Sequence, residues 1–347
     1  MNTPSPHRIA LLLGGDSPER RVSLMSGRAV WQTLVASGHG VTAFDLCEPA
    51  TRQHDPCDEV LSADQSAALQ LLAWADLTSQ LVAGGYDVVL PLTHGGRGEN
   101  GVLQALLEVT GIPFVGSDTH ACALAMDKAA CKAFVREVGV PSARGVLIPL
   151  AGPMPDSDVL LGPCVVKPSH AGSSVGVTIF KHAPTRDELR EAIRAALVDG
   201  PALVEEFVPG VEVTCVTLGE GAGTQVLPII EIVPEAGGGF YDFEAKYAPG
   251  GSRHLIPPRL SESVQQEISE FALRAHRALG CRDVTRSDFI VTPNEDIYFL
   301  ELNTLPGMTD TSLVPDAARA TGVEFPQLLD MLLAGALRRA HLATLAH

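Results

Sequence analysis

The segment Arg286 to Asn303 reads Arg-Ser-Asp-Phe-Ile-Val-Thr-Pro-Asn-Glu-Asp-Ile-Tyr-Phe-Leu-Glu-Leu-Asn. Two apolar runs joined by the turn-rich Thr292 to Asp296 predict a β-hairpin. Folding it about Asn294 and Glu295 sets Asp288 opposite Glu301, and the alternation of side chains along a strand puts Arg286 and Asn303 on the same face. Like charges directly opposite each other destabilise a ladder. Phe289, Val291, Tyr298 and Leu300 give an apolar second face, so the hairpin is expected to be buried, where unpaired charge is costly. Three solutions stand open. Asp288, Glu301 and Asn303 can hold a hard divalent cation, a donor set that suits magnesium with a substrate phosphate completing its shell. Otherwise one acid is protonated, or Arg286 alone satisfies the pair.

A chain of 347 residues has room for two or three domains with their own cores. Its 25 Lys and Arg stand against 41 Asp and Glu, a net charge of -16, which argues against a nucleic-acid or anionic-membrane surface. Any bound phosphate then needs a local basic site. Lysine is scarce, occurring only at Lys128, Lys132, Lys167, Lys181 and Lys246, so a lysine beside an unusual loop draws notice. The seven cysteines are scattered and form no Cys-x-x-Cys pair, which speaks against a zinc site or disulfide framework and for a reducing cytoplasm. No stretch is long and apolar enough for a membrane span, and Ile9 to Leu13 is too short for a signal-peptide core.

The chain opens with a strand at Arg8 to Leu13, a Gly-Gly loop and a helix over Val22 to Ala36, the start of an α/β unit. Strands are expected at Val41 to Leu46 and Tyr86 to Leu92, and helices over Gln65 to Val82 and Gly101 to Thr110. Cys47 to Asp64 reads as a surface excursion. Residues 1–116 thus form a doubly wound domain. An Ala-rich helix or helix pair over Ala121 to Val138 begins a second block, 117–207, with strands at Val146 to Ile148, Cys164 to Lys167, Gly176 to Phe180 and Ala202 to Phe207 and a helix over Arg186 to Leu197. The third block, 208–347, carries strands at Val211 to Leu218 and Val226 to Val233, a Gly/Pro-bounded loop over 234–258 that reads as a hinged lid, a helix over Val264 to Leu279, the hairpin and a terminal helix near Phe325 to Leu345.

Two loops could meet a ligand. Val165 to Lys167 ends a strand and leads into Pro168-Ser169-His170-Ala171-Gly172-Ser173-Ser174-Val175-Gly176, whose small residues let backbone amides approach anionic oxygens. No Gly-Lys-Ser/Thr closes it, so it is no Walker A loop, and alone it reads equally as an ordinary hairpin loop. His94 to Gly101, with four glycines, follows a strand at the carboxyl edge of the first sheet, where open α/β sheets bind ligands. Leu13 to Glu19 lacks the glycine spacing of a dinucleotide fingerprint, which disfavours a nicotinamide enzyme.

In this order the segments resemble the ATP-grasp enzymes and, within them, the D-alanine–D-alanine ligases. The resemblance runs over Gly14-Gly15-x-Ser17-x-Glu19-x-x-Val22-Ser23-Leu24, His94-Gly95-x-x-Gly98-Glu99-x-Gly101, Ala125-Met126-Asp127-Lys128, Lys167-Pro168 with Gly172 to Gly176, Tyr241-Asp242-x-Glu244-Ala245-Lys246-Tyr247, and Glu301-x-Asn303-Thr304-x-Pro306-Gly307-Met308-Thr309. It implies a three-domain α/β architecture, an N-terminal Rossmann-like domain followed by central and C-terminal α+β domains that hold ATP between them.

It also implies roles. Lys128 and Lys167 would contact ATP phosphates under a loop containing Ser173 and Ser174. Glu205 and Val208 would meet adenine, with Phe207 lining the pocket, and Glu212 would meet ribose. Asp288, Glu301 and Asn303 would hold two magnesium ions, with manganese as a substitute. Glu19 would meet the ammonium of the first D-alanine in a set with Ser173 and Tyr247. Arg286 and the Gly307 amide would form an oxyanion hole, Lys246 and Ser312 would hold the second substrate's carboxylate, and His94 would sit near the substrates. A homodimer is the family expectation. Asn100, Ala171 and Leu305 depart from the usual Asp, acidic residue and Ser, and Ala171 and Leu305 bear on pocket shape. The implied activity is ATP-dependent joining of two D-alanines for the peptidoglycan precursor. A ligase with another acceptor, such as D-serine or D-lactate, and a nucleotide-binding regulator without turnover are the alternatives.

Overall fold

The computed structural model describes residues 6–47, 70–152, 158–172, 176–198, 200–234 and 252–345. Ser173, Ser174, Lys246 and Tyr247, with most of the expected lid and residues 48–64 of the expected excursion, lie outside them. The described strands form three sheets.

The first sheet is parallel, in the order β3 (Gln70–Leu72), β2 (Gly40–Leu46), β1 (Arg8–Gly14), β4 (Val88–Pro91). Strand β1 is apolar from Ile9 to Leu13 because it is covered on both faces there. Ile9, Leu11 and Leu13 pack with Leu24, Val30, Trp31 and Leu34 of the helix Arg20–Ala36. Ala10 and Leu12 turn the other way, toward Leu77 and Leu81 of Leu77–Gly84 and Leu103 and Leu107 of Val102–Thr110. Of the helix expected over Gln65 to Val82, the described residues form α-helix only from Leu77, because Gln70–Leu72 pairs instead with Phe44 to Leu46. Here strand pairing outweighs local helix preference.

The second sheet is antiparallel, in the order β5 (Gly145–Ile148), β8 (Ala202–Glu206), β6 (Cys164–Pro168), β7 (Thr178–Phe180). It is backed by the helix Arg186–Ala196, whose start is fixed by a capping box between Thr185 and Glu188.

The third sheet runs β12 (Ser252–Leu255), β11 (Ile230–Pro234), β9 (Val211–Leu218), β13 (Val284–Val291), β14 (Ile297–Asn303), with β10 (Gln225–Val226) also on β9. The single strand expected over Val226 to Val233 is two, since Pro228 has no N–H to offer a ladder. The expected loop 234–258 likewise contains a strand, β12, paired to β11. The helix Glu262–Ala278 covers one face through Val264, Ile268, Phe271, Ala272 and Ala275.

The hairpin forms as expected, with Asp288 paired to Glu301 and Arg286 to Asn303. One correction applies near the turn. Phe289 pairs with Phe299, not Leu300, and Val291 with Ile297, so β14 carries one extra residue at a bulge. The buried apolar face is therefore Phe289, Val291, Ile297 and Phe299, while Tyr298 and Leu300 are only half-buried. Phe299 also donates its N–H to Pro141 O at 2.8 Å, which covers the outer edge of β14.

One apolar cluster links the first and third sheets. Leu328, Leu329, Leu332 and Leu333 of the terminal helix Phe325–Leu345 lie in it together with Ile9 and Leu90 on one side and Val216, Ile230 and Val284 on the other. Beside it Arg339 pairs with Asp283 and donates to Phe114 O at 2.9 Å, and Asp283 accepts the Gly116 N–H at 2.7 Å. These contacts fix the first sheet's loops against the hairpin.

Candidate active site

The charged face of the hairpin opens on a cavity of about 640 Å³. Its walls bring together Glu19, His94, Lys128, Arg286, Glu301, Asn303, Gly307 and Ser312, residues far apart in sequence and each singled out above. Asp288 lies just behind, 4 % exposed. Arg286 forks onto its carboxylate, Nε to Oδ1 at 3.0 Å and Nη2 to Oδ2 at 2.8 Å. Thr214 Oγ1 donates to Oδ1 at 2.5 Å and Asn303 Nδ2 to Oδ2 at 3.1 Å. The facing acid has a different partner, Lys128 Nζ at 2.8 Å from Glu301 Oε2. Arg286 alone thus does not satisfy the pair. Burial opposes the charge on Lys128, but Glu301 outweighs it and holds the ammonium above its ordinary pKa.

Among the described residues no group of three His, Cys, Asp or Glu side chains could hold a metal ion. A site on the hairpin would rest on two carboxylates and one amide, Asp288, Glu301 and Asn303. That all-oxygen set fits magnesium or manganese. Arg286 and Lys128, which balance the two carboxylates here, would have to yield to it.

Glu19 precedes the first turn of the helix Arg20–Ala36, its side chain making no capping bond to that helix, and is nearly buried. Its carboxylate lies between two loops at points where only glycine fits. A Cβ on Gly95, whose φ is +62°, would sit 2.5 Å from Glu19 Oε2, and one on Gly172 would sit 2.7 Å away. The glycines of the two candidate ligand loops thus make room for one acid.

His94 is buried, and its Nδ1 lies 2.9 Å from Leu305 O. A carbonyl only accepts, so Nδ1 carries the proton. Burial holds the imidazole below its ordinary pKa. Its Nε2 is buried with no hydrogen-bond partner. Glu99 completes this corner, accepting the N–H of Gly95 at 3.0 Å and of Leu305 at 3.2 Å. Burial, and then the charge of Glu19, push its carboxyl up to about 7. Leu305 therefore engages the site through its backbone, while its side chain packs inward, 8 % exposed. Asn100 caps the next turn, accepting the Val102 N–H at 3.2 Å, and forms no part of the cavity wall.

The expected nucleotide residues gather elsewhere. Lys167, at the end of β6, and Glu205, on β8, lie 2.6 Å apart, Nζ to Oε2. Phe207 and Val208 follow β8, half-buried, and Glu212 on β9 is level with Ile290, two positions along the ladder from Thr214 and Asp288. None of these lines the 640 Å³ cavity. Lys128 stands at the junction, at the start of the helix Lys128–Glu137, with its N–H on Ser169 O at 2.9 Å.

Lys132, one turn along that helix, is a charged residue to which the sequence reading gave no role. Only 2 % exposed, it forms an ion pair with Glu205 Oε1. Two signals pointed to it, the scarcity of lysine and its i, i+4 spacing from Lys128. Thr214 was also missed, since nothing in β9 taken alone shows which of its residues faces Asp288.

The family model described as D-ala D-ala ligase N-terminus matches residues 8–117, and the one described as D-ala D-ala ligase C-terminus matches residues 157–334. The chain is 42 % identical over 331 residues to the D-alanine–D-alanine ligase of Gloeobacter violaceus, covering 94 % of this chain and 98 % of that one. It is 38 % identical over 333 residues to that of Gluconobacter oxydans, covering 96 % of this chain and 100 % of that one. Among solved structures, the Bacillus anthracis D-alanine–D-alanine ligase complexed with ATP superposes with a TM-score of 0.73 at 26 % identity, covering 96 % of this chain and 99 % of that one. No described helix is long and apolar enough to cross a membrane.

Proposed function

The chain belongs to the D-alanine–D-alanine ligase family, and from that membership and the cavity we infer how an ATP-grasp enzyme of this sequence joins two D-alanine molecules with ATP as co-substrate. The observation that carries the reading is the convergence of Glu19, Arg286, Glu301 and Asn303 on one cavity beside Lys128.

In this reading the carboxylate of the first D-alanine attacks the γ-phosphate, giving D-alanyl phosphate and ADP, and the amine of the second displaces phosphate. Anion approaches anion in the first step. Lys128 and Lys167 screen that charge, and magnesium held by Asp288, Glu301 and Asn303, or manganese in its place, would add electrostatic stabilisation of the phosphates. Glu19 holds the first ammonium, together with Ser173 and Tyr247. Arg286 and the Gly307 N–H stabilise the oxyanion formed when the second amine adds. Lys246 and Ser312 hold the second carboxylate, and closing of residues 234–258 keeps water from the acyl phosphate. His94, its proton fixed on Nδ1, anchors Leu305 and the loop that follows it. Glu205, Phe207, Val208 and Glu212 receive the adenosine between the blocks 117–207 and 208–347, with 1–116 carrying the amino-acid side. A cytoplasmic homodimer supplying the peptidoglycan precursor completes the proposal.

Near-full-length similarity at about 40 % identity does not favour a different acceptor or a regulator without turnover. The test is phosphate release from ATP and magnesium with D-alanine, L-alanine, D-serine and D-lactate, with the product identified by mass. D-Alanyl-D-alanine as the product supports the reading. D-Alanine-dependent release without it points to another acceptor, and ATP binding without release to a regulator.

A further inference from the structure

Glu205 is shared by two lysines. Lys132 Nζ meets Oε1 and Lys167 Nζ meets Oε2, the latter at 2.6 Å. Glu205 is 3 % exposed, and its position is set by the backbone. Strand β8 lies between β5 and β6, with Glu205 level with Gly145 and Val165. A Cβ on Gly145 would come within 3.0 Å of Glu205 Cγ, so that glycine leaves the space the side chain fills.

The two lysines differ in freedom. Lys167 ends a strand just before the glycine-rich loop and is 9 % exposed. Lys132 is in the middle of a helix, 2 % exposed, and among the described residues its ammonium pairs with Glu205 alone. If Lys167 turns to a phosphate, Glu205 loses one of its two cations. An ionised carboxylate left unpaired at this depth is strongly destabilising, and without a second partner that penalty would hold Lys167 back.

We infer that Lys132 is a positioning residue for the nucleotide, a fixed counter-ion that keeps Glu205 charged and in place as an acceptor for the amino group of the base while Lys167 moves to a phosphate. The inference rests on the nucleotide roles proposed above for Glu205 and Lys167. Burial works against the Glu205 charge, yet Lys132 and then Lys167 hold its carboxyl down at about 2. Burial likewise brings the Lys132 ammonium down to about 7 and Glu205 opposes that fall, so the two charges sustain each other. The carboxylate therefore enters binding ionised. Each oxygen, taken by one lysine, keeps a lone pair for a further donor. Lys128 and Lys132, one turn apart on one helix, then divide the work: one faces the hairpin carboxylate, the other secures the acceptor for the base.

The experiment compares Lys132→Met, Glu205→Gln and the double variant by steady-state kinetics in ATP and in D-alanine, with thermal melting to follow the fold. Lys132→Met should raise the KM for ATP about tenfold, as expected for a charge-assisted hydrogen bond put out of place, with the KM for D-alanine nearly unchanged. Glu205→Gln should raise the same constant, and adding Lys132→Met to it should produce no further rise. A KM for ATP unmoved by Glu205→Gln overturns the nucleotide role of Glu205 itself. A rise with Glu205→Gln but only a lower melting temperature with Lys132→Met overturns the inference and leaves that role standing. If Lys132→Met does not fold, the double variant, which strands no carboxylate, decides the matter. A KM for ATP equal to that of Glu205→Gln supports action through Glu205, and a further rise overturns it.

Discussion

Lys128 Nζ stands 2.8 Å from Glu301 Oε2, joining the first turn of the helix Lys128–Glu137 to the hairpin strand β14. A residue read as a phosphate ligand and a residue read as a metal ligand are thus each other's partner. Glu301→Gln should lower turnover by roughly 10²- to 10³-fold, the scale of losing one electrostatic stabiliser, and should weaken the dependence on magnesium. The fold should persist, since Glu301 is half-buried and Lys128 keeps its backbone bond to Ser169. Near-normal turnover in the variant would refute the metal assignment.

Arg286 and Asp288 make the complementary case. Arg286→Ala leaves Asp288 buried without its cation, a change expected to cost about 3 to 5 kcal/mol of stability. Asp288→Asn in the same chain should recover most of that loss, because an amide needs no counter-charge. Urea unfolding of the two single variants and the double variant measures the coupling, and strict additivity would contradict it.

The Glu99 carboxyl, pushed up to about 7 against an ordinary 4.5, binds its proton more tightly in the folded protein than in the unfolded chain. Between those values the folded state holds more protons, so stability is greatest below about 4.5 and falls as pH rises through about 7. The contribution is on the order of 3 kcal/mol. Melting temperatures measured across pH 4.5 to 8 should decline in the parent chain. In Glu99→Gln that share of the decline should vanish, and an unchanged profile would show that the proton resides elsewhere.

Gly172→Ala places a methyl group 2.7 Å from where Glu19 Oε2 now lies, so the acid must move. The KM for D-alanine should rise about tenfold, as for one misplaced charged hydrogen bond, while the melting temperature stays nearly constant. A change confined to the KM for ATP would place Glu19 away from the amino acid.

The sequence was most legible where periodicity and chemistry coincided. The alternation in Arg286 to Asn303 was enough to bring Asp288 level with Glu301, yet the bulge opposite Phe289 could not be read, because the turn and the charged end follow registers one residue apart. Gln70–Leu72 reads as helix in the sequence because its strand exists only through a partner, Phe44 to Leu46, distant in sequence. At the site, the glycine-rich motifs pointed to the His94 and Gly172 loops, while Glu19 entered only through the family resemblance. The partners of Asp288 and Glu205 were hidden for a common reason. Thr214 and Lys132 look like ordinary strand and helix residues until tertiary packing turns them toward a buried acid.

The apolar cluster that runs from Ile9 and Leu90 through Leu328, Leu329 and Leu332 to Val216 and Val284 bears on how this enzyme can be recombined with its relatives. The N-terminal residues that carry Glu19 and His94 rest on a helix from the far end of the chain. A chimera crossing over near residue 117 would therefore inherit mismatched halves of one hydrophobic seam. It would need the terminal helix, and Arg339 with it, from the same parent as its first sheet. Exchange of the segment that carries Glu19 and His94 is thus a matter of transplanting two distant segments together.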